Sequence, residues 1–279
     1  MSPSSTVRAS MSVDRKEGYI AFFDSGVGGL TVLHQAMALF PHEHFLYYAD
    51  SANTPYGLRP SDEIDMLVQK AICDITTRPV KAIVLACNTA TSISADNLRV
   101  KYDLPIIGME PAVKIAADSD SRGRIVVLAT EATLRERKYH DLITNLHIKE
   151  RVEDIRLPDL ITMAEEFILD GGRVETYLAE RLAQIDWTEV QSVVLGCTHF
   201  IYYRNALEKI IPDEVNILDG NEGTVRRLRD VLGENIRMDG AYQLLTLLSG
   251  HHVDNEIILP YLHSLSSKSL FSSHITTQK

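Results

Sequence analysis

A repeated segment constrains this chain more than any other feature of its sequence. Residues 81–92 are KAIVLACNTATS, and residues 191–202 are QSVVLGCTHFIY. Each segment runs from small and aliphatic residues into a cysteine that polar residues follow, and the two cysteines lie 110 positions apart. Such self-similarity indicates a repeated structural unit. Two similar domains, each with one thiol at the end of a strand, are the simplest explanation.

Short apolar runs alternate with longer amphipathic stretches along most of the chain. This alternation is typical of strands in parallel sheets that helices cover. The stretch 61–76 has apolar residues at three- and four-residue steps, which predict a helix. Strands are predicted at 19–23, 45–49, 82–86, 106–109, 124–129, 152–156, 192–196 and 215–218. We therefore predict an α/β fold with doubly wound parallel sheets.

Length and composition set the class of protein. A chain of 279 residues exceeds the usual ~100–200 of a single domain, and 45% hydrophobic with 24% charged residues is typical of a globular protein. The net charge of −10 argues against a nucleic-acid or anionic-membrane partner, since these need clustered Lys and Arg. With no apolar run of ~20 residues and no signal peptide, we expect a cytoplasmic protein.

Both ends of the chain are polar and rich in Ser or Thr. Residues 1–17 contain no apolar period, and residues 264–279 have a similar composition. Segments of this kind cannot bury enough apolar surface to become ordered. We predict a flexible N-terminal extension over 1–17 and a flexible tail over 264–279.

Three cysteines occur, and each needs its own explanation. An odd count without a secretion signal favours free thiols. Cys73 falls on the helix predicted at 61–76, where we expect a buried small hydrophobe. For Cys87 and Cys197, a redox pair lacks the C-x-x-C spacing, and a metal site lacks ligands, since only His199 is near either thiol. The remaining interpretation is that the two thiols carry protons to and from opposite faces of a carbon atom, which needs no metal and no cofactor.

Other polar residues end the strands upstream of each thiol. Asp24-Ser25 precedes Cys87 by about the interval at which Thr130 and Thr133 precede Cys197. Small residues at strand ends can hold a carboxylate by backbone N–H groups and hydroxyls. The run GVGG after Ser25 lacks the G-x-G-x-x-G spacing of a dinucleotide site. Helix N-termini and an imidazole at His199 are expected to lower the thiol pKa values.

Each candidate also has a purely structural interpretation. Asp24 could cap the following helix, and His199 could be a buried structural histidine. Pro55, Tyr56 and Gly57 would also form an ordinary turn. Position beside the repeated strand ends favours catalysis for Asp24 and His199, whereas Tyr56 is ambiguous.

Six segments together resemble one known family, the bacterial glutamate racemases of the aspartate/glutamate racemase superfamily. The segments are DSGVGGL (24–30), YYADSANTPYG (47–57), ACNTAT (86–91), GMEP (108–111), ATEAT (129–133) and GCTHF (196–200), and they occur in the family's order. The resemblance implies two αβ domains related by pseudo-two-fold symmetry around a central cleft. It places the first domain at 18–109 plus 219–263 and the second at 110–218.

The resemblance also implies an activity and a set of site residues. It implies interconversion of L- and D-glutamate without pyridoxal phosphate, supplying D-glutamate for peptidoglycan. Cys87 would act on D-glutamate and Cys197 on L-glutamate, Asp24 and His199 would tune the thiols, and Glu165 would be a further acidic helper. The implied substrate-binding residues are Asp24, Ser25, Pro55, Tyr56, Gly57, Asn88, Thr89, Thr130, Thr133 and Thr198.

The chain departs from the family pattern at two places. Leu157-Pro158 stands where many members have Cys-Pro, which weakens the assignment of Glu165, and Ile201 with Tyr202-Tyr203 stands where many continue with Pro. A racemase of aspartate or hydantoin, or a regulator that binds a topoisomerase, are the alternatives. Family members usually form homodimers, and some are activated by a peptidoglycan precursor. No stripe in this sequence identifies an interface.

Overall fold

Two parallel sheets form the framework of the molecule. The computed structural model describes residues 17–109, 112–118 and 123–266, so residues 1–16 of the predicted extension and 267–279 of the predicted tail lie outside it. Within the described part, ten strands form one six-stranded and one four-stranded sheet. The strands are β1 Tyr19–Asp24, β2 His44–Ala49, β3 Val80–Leu85, β4 Ile106–Gly108, β5 Arg124–Ala129, β6 Val152–Arg156, β7 Val190–Leu195, β8 Asn216–Asp219, β9 Gln243–Leu248 and β10 His251–Val253.

The two sheets repeat one topology. The first has the order β10-β9-β2-β1-β3-β4, and the second has the order β6-β5-β7-β8. Without β9 and β10, the first sheet reads β2-β1-β3-β4, which matches β6-β5-β7-β8 strand for strand. All these strands are parallel. The predicted α/β fold with pseudo-two-fold symmetry is therefore confirmed.

The repeat extends to the register of the central strands. Phe23 of β1 pairs with Leu85 of β3, and Leu128 of β5 pairs with Leu195 of β7. Each pair of strands also shows one irregularity, directly after the first residue of the leading strand. The segments after β3 and β7, which carry the two cysteines, therefore emerge at equivalent edges of their sheets.

Helices cover the sheets on both faces. They are α1 Leu30–Leu39, α2 Ser61–Ile75, α3 Asn88–Lys101, α4 Val113–Ala117, α5 Glu131–Arg135, α6 Arg137–Asn145, α7 Pro158–Glu165, α8 Gly172–Leu182, α9 Arg204–Glu208, α10 Asn221–Leu232 and α11 Leu259–Ser266. Strand residues such as Phe22, Phe23 and Val84 are buried on both faces, and each contributes about 1.5–3 kcal/mol by leaving water. No helix in the described part is long and apolar enough to cross a membrane.

All eight strands predicted from the sequence are present to within two residues at each end. The prediction missed β9 and β10. After β8 the chain returns to the first sheet, where α10 packs on α1 and β9 pairs in parallel with β2. β10 then pairs antiparallel with β9, so the first sheet is parallel except at this edge.

Two further expectations need correction. The chain is helical up to Ser266, three residues into the predicted tail, because the hydroxyls of Ser264 and Ser266 donate to the carbonyls of Tyr261 and Leu262 and extend α11. Cys73 is exposed rather than buried. It follows Ile72, which faces the core, and one residue turns the helix by about 100°, onto the solvent side.

Candidate active site

Cys87 follows β3 and is the N-cap of α3. Its side chain is 6% exposed, and its Sγ accepts a hydrogen bond from the Ala90 N–H at 3.4 Å. The Ser25 hydroxyl, which follows β1, lies 3.8 Å from the same sulfur. The first thiol therefore meets a helix N-terminus and a hydroxyl from the neighbouring strand end.

Cys197 follows β7 in the second sheet and has different neighbours. Its Sγ lies 3.7 Å from Nδ1 of His199, and Nε2 of His199 lies 2.7 Å from Oε1 of Glu165. The same Glu165 oxygen accepts the Val27 N–H at 2.9 Å. Glu165, which the sequence placed here only by resemblance, therefore forms a chain of contacts with His199 and Cys197.

Asp24 is fully buried between the two halves. Its carboxylate accepts the Gly26 N–H at 2.7 Å and the Thr198 hydroxyl at 3.2 Å. The capping position of α1 is occupied by Gly29 without a side-chain cap, so Asp24 does not cap that helix. Its hydrogen bonds join the loop after β1 to the segment after Cys197.

The pKa values of two buried groups, Asp24 and His199, are strongly shifted. Burial raises the pKa of Asp24 from 3.8 to about 7, although the charge of His199 and the Gly26 hydrogen bond lower it. Burial lowers the pKa of His199, but the bonds to Cys197 and Glu165 outweigh it and raise that pKa well above 6.5. The contacts of His199 therefore favour its protonated form, and the pKa of Asp24 lies close to neutral.

The expected lowering of the thiol pKa is wrong for Cys87. Burial, followed by the charge of Asp24, raises the pKa of this thiol from 9.0 to about 12. The hydrogen bonds from Ala90 and Ser25 act in the opposite direction, as the sequence suggested, but they are weaker than desolvation. Cys87 is therefore held as a thiol.

Both thiols line one cavity of about 10 Å³, enough for a single water molecule. Its walls consist of Ser25, Pro55, Tyr56, Gly57, Cys87, Asn88, Thr89, Thr130, Ile161, Cys197, Thr198 and His199. These residues include no Lys or Arg. An anionic group in this cavity would be held by hydroxyls, amides and the His199 imidazolium.

Two of the predicted substrate-binding residues lie behind the wall of the cavity. Asp24 and Thr133 are fully buried and do not line the cavity. Thr133 Oγ1 lies 3.2 Å from Thr89 Oγ1 and 3.0 Å from Thr130 Oγ1, and the latter two hydroxyl oxygens are 3.0 Å apart. Thr133 therefore orients the two threonines that face the cavity.

The glycines of the loop after β1 make room for the second half. A Cβ on Gly28 would lie 2.4 Å from His199 Nδ1, and a Cβ on Gly26 would lie 1.8 Å from Glu165 Oε1. Both distances are far below van der Waals contact. A Cβ at either position would therefore have to displace the imidazole or the carboxylate that lies against the backbone.

Several residues that shape the site were not singled out from the sequence. Ile161 of α7 is an apolar member of the wall. Tyr47 donates to the Gly26 carbonyl at 2.6 Å, and Asp50 accepts the Tyr56 hydroxyl at 2.6 Å. The one available signal was that Tyr47 and Asp50 fall within the segment 47–57.

Comparison with known proteins identifies the family of this chain. Residues 31–228 match the family described as Asp/Glu/Hydantoin racemase. The glutamate racemase of Halothermothrix orenii is 43% identical over 234 residues, covering 83% of this chain and 92% of its own. Glutamate racemase 2 of Bacillus subtilis is 38% identical over 246 residues, covering 87% and 93%.

Solved structures show the same fold. A glutamate racemase isoform from Bacillus anthracis superimposes with a TM-score of 0.78 at 26% identity, covering 89% of this chain and 95% of that one. The Escherichia coli glutamate racemase in complex with L-glutamate and the activator UDP-MurNAc-Ala has a TM-score of 0.73 at 28% identity, with 89% and 95% covered.

The chain therefore belongs to the Asp/Glu/Hydantoin racemase family. Its relatives within that family are glutamate racemases, which makes it an isomerase of the amino-acid racemase class.

Proposed function

We propose that this protein interconverts L-glutamate and D-glutamate by moving a proton between two thiols. The observation that carries the proposal is that one cavity brings together Cys87 and Cys197, each with its own acid–base partner. The names of the relatives support glutamate as the substrate. The product D-glutamate would supply peptidoglycan synthesis.

The surroundings of the thiols suggest how each direction begins. The proposal assigns the thiolate to Cys197, whose sulfur lies 3.7 Å from Nδ1 of His199, and the thiol to Cys87, whose pKa burial raises to about 12. With L-glutamate, the Cys197 thiolate takes the α-proton as the Cα–H bond breaks, and the electron pair is left on the substrate. The Cys87 S–H then delivers its proton to the opposite face of Cα. In the reverse direction the roles exchange.

Each turnover leaves the proton on the other thiol, so the thiols must be reset. Asp24, whose pKa is about 7, influences Cys87, and His199 contacts Cys197. These groups are suited to pass protons between the thiols and solvent. The hydroxyls of Thr89, Thr130 and Thr198 would hold the substrate and stabilise the charge that develops in the transition state.

Entry of the substrate requires the cavity to enlarge, because an amino acid is several times larger than a water molecule. Hydrogen bonds that join the two halves beside the cavity include Val27 N–H to Glu165, Thr198 to Asp24, and Thr89 to Thr130. Each is worth about 0.5–3 kcal/mol, and opening the cavity must break or stretch some of them.

Exchange of the α-proton tests the proposal. The protein, treated with chelator and free of added cofactor, is incubated with L-glutamate in D₂O, and we expect D-glutamate that carries deuterium at Cα. Cys87→Ala and Cys197→Ala should each abolish racemisation, whereas Cys73→Ala, at the exposed third cysteine, should leave it intact. Racemisation that survives loss of either cavity thiol would rule out the two-thiol mechanism.

The substrate and the biological role need separate experiments. A panel of glutamate, aspartate and hydantoins separates the proposed substrate from its alternatives by their kcat/KM values. Rescue of a bacterial strain that requires D-glutamate tests the supply for peptidoglycan, and loss of rescue with Cys87→Ala provides the control.

A peptidoglycan-precursor activator and a homodimer are also part of the proposal. A groove of about 620 Å³ lies between α3, β4, α4 and α10, and Arg99, Lys114 and Arg227 line it. Three cations suit the diphosphate of UDP-MurNAc-Ala, the activator bound to the Escherichia coli racemase. Activation by this nucleotide that Arg227→Ala removes would support the site. Sedimentation velocity measures the oligomeric state.

A further inference from the structure

The helix that carries Glu165 ends in an unusual way. After α7, the Ile168 N–H bonds to the Met163 carbonyl at 2.7 Å and the Phe167 N–H bonds to the Ala164 carbonyl at 3.0 Å. This crossed pair requires the first of the two donors to be left-handed, at a position that glycine usually occupies. Here it is Phe167, with φ of +57°. A bulky side chain in this conformation costs about 1–2 kcal/mol.

One residue of the C-terminal helix holds this turn in place. The Tyr261 hydroxyl, from α11, lies 3.1 Å from the Ala164 carbonyl and 3.2 Å from the Glu165 carbonyl. Its ring meets the Phe167 ring edge-on, with centroids 4.8 Å apart at 83°. Tyr261 therefore satisfies carbonyls at the helix end and offsets part of the strain at Phe167.

The position of this turn sets the position of the Glu165 carboxylate. One oxygen of Glu165 meets both His199, at 2.7 Å, and the Val27 N–H, at 2.9 Å. A shift of the helix end by about 1 Å would carry this oxygen beyond hydrogen-bond range. Misplacement of that size can reduce a catalytic rate by about 10²-fold.

We propose that Tyr261 is a positioning residue for the Cys197 side of the site. By fixing the end of α7 together with Phe167, it holds Glu165 against His199 and so keeps the imidazole oriented toward Cys197. The inference rests on the proposed function. It makes proton transfer at one thiol depend on α11, a helix that packs on α1 in the other half of the molecule.

Tyr261→Phe removes only the hydroxyl and is the test. We expect kcat to fall about 10-fold. Because the equilibrium constant between enantiomers is one, kcat/KM must fall equally in both directions, so the isotope effect is the informative quantity. The primary deuterium effect should rise with α-deuterated L-glutamate, whose proton Cys197 removes, and should fall with α-deuterated D-glutamate. Loss of folded protein alone would change neither effect.

Tyr242→Phe, at an exposed tyrosine, is the matched control and should leave both isotope effects as they are. If Tyr261→Phe does not fold, Phe167→Leu, at a half-exposed position, removes the ring contact and should shift the isotope effects in the same directions. The proposal would be overturned if, in a folded variant, the two isotope effects stayed at their wild-type values or changed by the same amount in the same direction.

A measurement without turnover separates this inference from the proposed function. In ¹⁵N-histidine spectra, assigned with His199→Gln, the titration of His199 should move to lower pH in Tyr261→Phe, because its bond to Glu165 weakens. The other titratable groups facing His199 are Cys197 and Asp24, and neither is altered. An unchanged titration would refute the role of Tyr261, whereas a wild-type protein that exchanges no α-proton would refute the racemase proposal alone.

Discussion

Asp24→Asn should make the protein more stable while it impairs turnover. The carboxyl of Asp24 is fully buried, and burial raises its pKa from 3.8 to about 7. Folding therefore favours the protonated form. Above pH 4 the unfolded chain holds an ionised carboxylate at no cost, whereas the folded protein must either keep the proton or bury the charge. An asparagine avoids this cost, because its Oδ1 can accept the Gly26 N–H and its amide can donate to Thr198.

The size of the effect follows from the shift in pKa. One pKa unit corresponds to ~1.4 kcal/mol, and a shift of about three units corresponds to ~4 kcal/mol. The destabilisation is absent below pH 3.8, increases between pH 4 and 7, and is constant above pH 7. The difference between the variant and the wild type should therefore grow by ~2–3 kcal/mol from pH 5 to pH 8.

Urea unfolding at half-unit steps from pH 5 to pH 8 measures this difference directly. Asp103→Asn, at an exposed position, is the control, and its unfolding free energy should parallel that of the wild type at every pH. If the unfolding free energies of Asp24→Asn and the wild type run parallel with pH, burial does not raise the pKa of Asp24. The role of Asp24 as a proton carrier near neutral pH would then be refuted.

Three further predictions concern the residues around the thiols. Gly28→Ala places a Cβ 2.4 Å from His199 Nδ1, so the unfolding free energy should fall by ~1–3 kcal/mol and kcat should also fall. Urea titration measures the first and a turnover assay the second. If neither value changes, the close approach of His199 to Gly28 is contradicted. His199→Gln removes the imidazolium beside Cys197 and should lower kcat by ~10²–10⁴-fold in assays with either enantiomer; a loss below about 10-fold would exclude proton transfer by His199. Iodoacetamide at pH 8 should modify Cys73 well before Cys87, because Cys73 is exposed whereas burial raises the pKa of Cys87 to about 12; peptide mass mapping follows the order, and equal rates would contradict it.

The repeated segments predicted the framework of the fold. Two similar strand ends implied two similar sheets, and the structure shows the same strand order and the same register around Cys87 and Cys197. β10 could not be predicted in this way, because it has three residues and two of them are exposed histidines. A strand this short has no alternation to detect, and its pairing with β9 defines it.

The local partners in the site were less accessible from the sequence. His199 was predicted because it lies two residues from Cys197, but Glu165 is 34 residues away and no local pattern connects them. The prediction of a lowered pKa for Cys87 was wrong for a related reason. Sequence shows a helix N-terminus, whose effect is local, whereas desolvation depends on how completely the opposite half covers the thiol.

The matching strand order of the two sheets also bears on the thermodynamics of the proposed reaction. Enantiomers have equal free energies, so a racemase has no preferred product, and a molecule built from two similar halves offers comparable chemistry to the two faces of one carbon. Asp24 and His199 break that symmetry, yet they cannot move the equilibrium. Their difference affects only which half holds the proton between turnovers, so evolution could vary these partners to adjust rate without any effect on the final mixture.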